Sequence, residues 1–156
     1  MNDLKIRGFE PVREDMRKDT QDYIIPVRGD GRSAGYDIYT PIQIVIPPHG
    51  RAFVWSNVKA YMQDDEVLEL YVRSSIGVKK GIVLSNGTGI IDSSYYSNSD
   101  NDGNLGLALW NTTDKEVVLE AEERICQGVF KKYLTVDDDK CLSEYRTGGI
   151  GSTGTK

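Results

Sequence analysis

The stretch Arg146-Thr147-Gly148-Gly149-Ile150-Gly151-Ser152-Thr153-Gly154-Thr155-Lys156 gathers the groups that grip phosphate. Glycines let consecutive backbone N–H groups turn toward one anion. Ser152 and Thr153 add hydroxyl donors, and Arg146 adds a planar fork suited to phosphate oxygens. The stretch is not a Walker loop. Gly149 and Gly154 have the right gap, but Thr155 stands where that loop needs Lys, and no helix can follow. A frayed Gly-rich terminus is the plainer reading of the same composition.

Four interior segments carry further chemistry. Ala34-Gly35-Tyr36-Asp37-Ile38 puts a carboxylate inside an apolar strand, as a partnered structural residue or as a metal- or phosphate-site ligand. Tyr71-Val72-Arg73-Ser74-Ser75-Ile76-Gly77 ends a strand in one fixed charge and two hydroxyls; the serines also read as the cap of a helical turn. In Leu84-Ser85-Asn86-Gly87-Thr88-Gly89-Ile90-Ile91-Asp92 the Asn-Gly pair signals a hairpin. Glycines there bare a backbone edge that could read a base, and Asp92 follows in the place of a general base. Glu123-Arg124-Ile125-Cys126-Gln127 opens an apolar strand in which the Gln127 amide could donate to a ligand oxygen, or serve structure alone.

Short strands must hold these residues. Apolar runs at 35–39, 42–46, 51–62, 67–73, 82–84, 105–110, 117–119 and 125–134 are separated by turn residues, and residues 3–9 alternate as a first strand would. Thirteen Val and thirteen Ile against 3 Phe and 2 Trp favour strands over helices. Residues 10–22 read as a charged surface excursion, 23–27 as extended, and 74–80 as the one helical turn. An all-β barrel or sandwich is expected. One domain suits 156 residues. Within it, 1–136 read as the barrel and 137–156 as an acidic connector followed by the arm.

Net charge −5 disfavours a nonspecific nucleic-acid binder. Cys126 and Cys141 lie in no metal-ligand spacing, and His49, in Pro47-Pro48-His49-Gly50, reads as a turn residue. Without an apolar run of transmembrane length or a signal-like N-terminus, the expectation is a cytoplasmic chain with no membrane partner.

In this order, the five segments resemble the motifs of the homotrimeric dUTP diphosphatases (dUTPases), from about residue 34 onward. The chain from Lys5-Ile6-Arg7-Gly8-Phe9 is similar to members from Gram-positive bacteria and their phages. The resemblance implies a jelly-roll β-barrel with a flexible Gly-rich arm, and a homotrimer whose sites are built from more than one chain. It also implies hydrolysis of dUTP to dUMP and pyrophosphate with Mg²⁺. By motif, Asp37 helps hold Mg²⁺ through water, and Arg73, Ser74 and Ser75 serve the phosphate chain. Asn86, with the backbone around Gly89 and Ile91, reads uracil. Asp92 contacts the 3′-hydroxyl and orients the attacking water, Tyr95 stacks under the deoxyribose, and Gln127 meets the α-phosphate. Arg146, Gly149, Ile150, Gly151, Ser152 and Thr153 close over the nucleotide.

The chain departs from that pattern at Ile150, where the family arm commonly has a Phe that covers uracil, and at Arg146, Ser94 and Ser97. A second reading is a dCTP deaminase of the same fold. That activity needs a Glu in the strand before Asn111, where this chain has Ala108. A third is a phage-type enzyme that also captures a regulatory protein, with exposed 97–104 as one candidate surface.

Overall fold

The computed structural model describes residues 4–154. Twelve strands follow in chain order: β1 (Gly8–Pro11), β2 (Val27–Arg28), β3 (Tyr36–Tyr39), β4 (Ile44–Ile46), β5 (Arg51–Trp55), β6 (Val58–Tyr61), β7 (Glu66–Val72), β8 (Ile82–Leu84), β9 (Gly89–Asp92), β10 (Gly106–Asn111), β11 (Val117–Leu119) and β12 (Arg124–Lys132). The helical turn expected at 74–80 is a single π-type turn, Ser75–Lys79. The period-two alternation is real. On β10, Leu107 and Leu109 are fully buried while Trp110 is exposed. With Leu68, Leu70, Ile38 and Ile125 they form one core, each such side chain contributing about 1.5–3 kcal/mol by burial.

The strands form separate ladders: β2-β3-β12-β7-β9, β5-β10-β8, β1-β6 and β11-β4. Among the described residues no ladder closes on itself, so the expected barrel appears as packed sheets and not as one continuous hydrogen-bonded ring. The run expected over 51–62 is broken at Asn57, whose φ of 60° is left-handed, a conformation that Asn tolerates better than most residues. The Asn57 amide nitrogen reaches the carbonyls of Lys18, Thr20 and Asp22 at 3.1, 3.0 and 3.2 Å. That pins the charged excursion to the core. The first strand begins at Gly8, later than the alternation of 3–9 suggested; Asp3 lies outside the described residues.

Asn86-Gly87 is a turn but not a hairpin. β8 pairs with β10 and β9 pairs with β7, so the turn carries the chain from one sheet to another. The segment expected as an exposed tip, 97–104, is mostly buried: Asn98, Asn101, Asp102 and Asn104 are all under 9% exposed. Its polar groups are satisfied internally. Lys59 Nζ sits 2.9 Å from Asp102 Oδ2, and Asn98 Nδ2 donates to Asn101 Oδ1 at 2.7 Å. The polar composition here belongs to a hydrogen-bonded plug and not to a solvated tip.

Candidate active site

Residues paired across strands share a face of the sheet. Asp37 faces Gln127, and Gln127 faces Tyr71, so β3, β12 and β7 bring Asp37, Gln127 and Arg73 to one end of the largest sheet. Asp37 is the buried carboxylate expected from sequence. Arg73 Nε lies 3.2 Å from its Oδ1, and Arg124 Nη1 lies 3.2 Å from its Oδ2. Arg73 is further fixed by Nη1 donating to the Arg124 carbonyl at 3.2 Å. With Ser74 they line a polar cleft of about 180 Å³. The Ser74 side chain makes no cap bond to the turn that follows, which leaves its hydroxyl for other work. Ser75 is the first residue of that turn and is half-buried. Arg124 stood in a quoted segment without a role; only the pairing of β12 with β3 brings it to Asp37. Cys126, beside Gln127, is fully buried, and burial pushes its thiol up to about 12, which leaves it inert as a nucleophile.

A second cleft, about 320 Å³, lies between β9 and β10. β9 is an edge strand, hydrogen-bonded only to β7. Its other backbone edge faces the cleft, together with Asn86, Gly89 and Ile91. Tyr95 closes one end. It is buried; its hydroxyl donates to the Asn104 carbonyl at 2.6 Å and accepts from Asn101 Nδ2 at 2.9 Å. Burial raises its pKa, so it stays a neutral donor. The opposite wall is Phe53, Gly106 and Ala108, of which only Ala108 stands out in the sequence.

Asp92 ends β9 with its side chain 54% exposed. It pairs with Val67, six residues before Arg73 along β7. At about 3.3 Å per residue, that separates Asp92 from Arg73 by roughly 20 Å. One chain therefore holds Asp92, at the far end of β9, away from the Arg73 cleft, while Gly89, opposite Leu70, lies nearer to it.

The arm lies against its own chain. Arg146 donates through Nε to the Gly148 carbonyl at 2.8 Å and through Nη2 to the Gly149 carbonyl at 3.0 Å; its Nη1 meets Asp92 Oδ2 at 3.1 Å. Its guanidinium lies 5.3 Å from the Tyr95 ring centroid. The expected phosphate fork is thus occupied in folding the arm. The Gly149 N–H donates to Asp100 Oδ2 at 2.8 Å, and Ser99 Oγ donates to the Thr147 carbonyl at 2.6 Å. Two glycines permit this approach: a Cβ on Gly148 would collide with the Asp100 carboxylate, and one on Gly149 would lie 2.8 Å from Asn101 Nδ2. The 97–104 plug is therefore the platform of the arm. Ile150 and Gly151 reach the rim of the β9–β10 cleft, Ile150 remaining 68% exposed. Ser152 and Thr153 line a larger hollow, about 670 Å³, between Arg146 and Ser94. Thr155 and Lys156 lie outside the described residues.

Among the described residues no three His, Cys, Asp or Glu side chains converge as a metal cage. No helix there is long and apolar enough to cross a membrane.

The profile of the dUTPase family matches residues 21–154. The deoxyuridine 5′-triphosphate nucleotidohydrolase of Lactococcus lactis is 45% identical over 152 residues, covering 97% of this chain and 99% of that one. The crystal structure of dUTPase from Streptococcus mutans superposes with a TM-score of 0.74 at 42% identity, covering 83% of this chain and 98% of that chain. A mutant dUTPase from phage phi11 of Staphylococcus aureus, whose structure concerns coordination of a structural Mg(II) ion, gives 0.67 at 19% identity, covering 89% and 98%. The twelve-strand arrangement is thus the dUTPase fold, and the chain belongs to the dUTPase family of dUTP diphosphatases.

Proposed function

We propose that the chain hydrolyses dUTP to dUMP and pyrophosphate by attack of water on the α-phosphate. This keeps uracil out of DNA and supplies dUMP for dTMP synthesis. The observation that carries the reading is the β9–β10 cleft, with a bare strand edge along one wall and Asp92 at the end of that strand. The free N–H and C=O groups of β9, with Asn86, match the donor and acceptor edge of uracil. Tyr95 stacks beneath the sugar. The Asp92 carboxylate orients the attacking water and accepts its proton. Arg73, Ser74 and Gln127 hold the phosphate chain, and Arg146, Ser152 and Thr153 take the outer phosphates once the arm releases its self-contacts.

Phosphoanhydride hydrolysis needs charge neutralisation and placement of water more than covalent chemistry. The family's Mg²⁺ supplies part of that neutralisation. The donor set fits such an ion: Mg²⁺ keeps several waters and takes one or two carboxylates plus substrate phosphates. Asp37, held on both oxygens by arginines, suits contact through water better than direct ligation.

The roughly 20 Å between Asp92 and Arg73 disfavours a site within one chain. A neighbouring chain brings its Arg73 cleft to this chain's Asp92, which a closed homotrimer does by repeating one heterologous contact. A regulatory protein partner gains no support from 97–104, because most of that segment is buried and its exposed Ser99 and Asp100 already hold the arm. Deamination is disfavoured by Ala108, whose methyl lines the cleft where a Glu would be needed.

The deciding assay measures pyrophosphate release from dUTP, dCTP, dTTP and UTP, with and without Mg²⁺. Release from dUTP alone, abolished by chelation, is expected; ammonia from dCTP would overturn the reading. A second test addresses the arm. Gly149→Ala forces its methyl against Asn101, which is held by Tyr95, Asn98 and Gly103. Overpacking of that kind costs about 1–3 kcal/mol. The expected result is a higher KM for dUTP and faster amide exchange over 146–154. Unchanged values in both would remove the platform from closure.

A further inference from the structure

We propose that Phe53 is the aromatic wall against the pyrimidine, a contact supplied from β5 because the arm carries Ile150. The inference rests on assigning the β9–β10 cleft to the base. Gly106 sets the position of the ring. It pairs with Trp55, and its neighbour on the same face, Ala108, pairs with Phe53. A Cβ on Gly106 would drive into the Phe53 ring. The ring therefore leans along the strand, across the bare backbone of Gly106, and toward the cleft. The Trp55 ring backs it edge-on, with centroids 4.8 Å apart at 68°. Fixed from below and behind, Phe53 still leaves 45% of its surface exposed, and it lines the cleft wall.

Such placement serves a purpose the core does not explain. Phe53 belongs to neither the buried core nor the partly buried residues packed on it. A large apolar ring held half-bare at the wall of a cleft, opposite a strand edge with free hydrogen-bonding groups, is the arrangement a flat heterocycle requires. One side reads its polar edge and the other meets its face. Ala108, the next residue along that wall, is too small to compete for the space. The arm brings Arg146, Ile150 and Gly151 to the cleft, none of them aromatic.

The test compares binding of α,β-imido-dUTP with binding of inorganic tripolyphosphate, which lacks the base. Phe53→Leu keeps bulk and removes the ring. It should weaken the imido nucleotide roughly two- to tenfold, the span expected for one aromatic contact, and leave tripolyphosphate unchanged. Phe53→Tyr should bind both as the wild type does. Adding Ile150→Phe to Phe53→Leu should restore nucleotide affinity, because a ring on the arm meets the same base. Equal losses for both ligands would make Phe53 a structural residue and overturn the proposal. So would wild-type nucleotide affinity in Phe53→Leu. If the wild-type protein itself fails to bind the imido nucleotide, the base assignment of the cleft fails instead.

Discussion

Asp92→Asn is expected to lower turnover of dUTP by roughly 10²–10⁴, the usual span for removing a general base. The amide keeps the shape of the carboxylate and can still accept from Arg146, but it cannot take a proton from water. Asp92 stands at a strand end with its side chain half in solvent, paired with the largely buried Arg146 of the arm. Loss of that half-exposed pair should change stability by no more than about 1 kcal/mol. Affinity for a non-hydrolysable dUTP analogue should hold or rise slightly, since one negative charge near the phosphates is lost. The measurement is single-turnover pyrophosphate release, with analogue binding and thermal unfolding on the same preparation. Turnover near that of the wild type, with binding and folding intact, would take the base role from Asp92.

A comparable effect is expected from mixing two dead proteins. Asp92→Asn damages the end of β9, and Arg73→Ala damages the end of β7, so each homotrimer should be nearly inactive. The two lesions lie at opposite ends of one strand pair, and the proposed site takes Asp92 from one chain and Arg73 from its neighbour. Unfolding an equimolar mixture and refolding it together should then restore activity. About a quarter of the sites in random heterologous trimers receive both intact groups, one half for each donor chain. Arg73→Ala also leaves Asp37 with one arginine fewer, so its fold is checked by spectroscopy before mixing. No recovery, with mixed assembly verified by mass, would mean that each site is completed inside one chain.

Much of this was legible from residue types. Strands such as β8 and β11 fell where alternation and turn residues put them, because a half-buried strand must alternate. Candidates for phosphate and base contacts stood out because glycines, hydroxyls and lone carboxylates are conspicuous in apolar runs; their separate roles came from the resemblance to the dUTPases. What failed depended on partners distant in sequence. Asn86-Gly87 has the local chemistry of a hairpin, but pairing is decided by β10 and β7, which no dipeptide encodes. Segment 97–104 is polar because it is a hydrogen-bonded plug; composition alone cannot separate that from a solvated tip. Phe53 gave no signal, since an aromatic in a strand is ordinarily core, and only the absent side chain of Gly106 turns it toward the cleft.

The order of strands in the largest sheet has a consequence for how the molecule is made. β12, last in the chain, lies between β3 and β7. Asp37 on β3 waits for Gln127 on β12. At the usual pace of synthesis of about 5–20 residues per second, that wait is on the order of 5–20 s. Until then β3 and β7 each present an unsatisfied backbone edge to solvent or to a chaperone. The core beneath them cannot seal, and a chain stalled before β12 has emerged from the ribosome should be a substrate for proteolysis and not a smaller enzyme. Long-range pairing of this kind also makes refolding slow and exposed to aggregation.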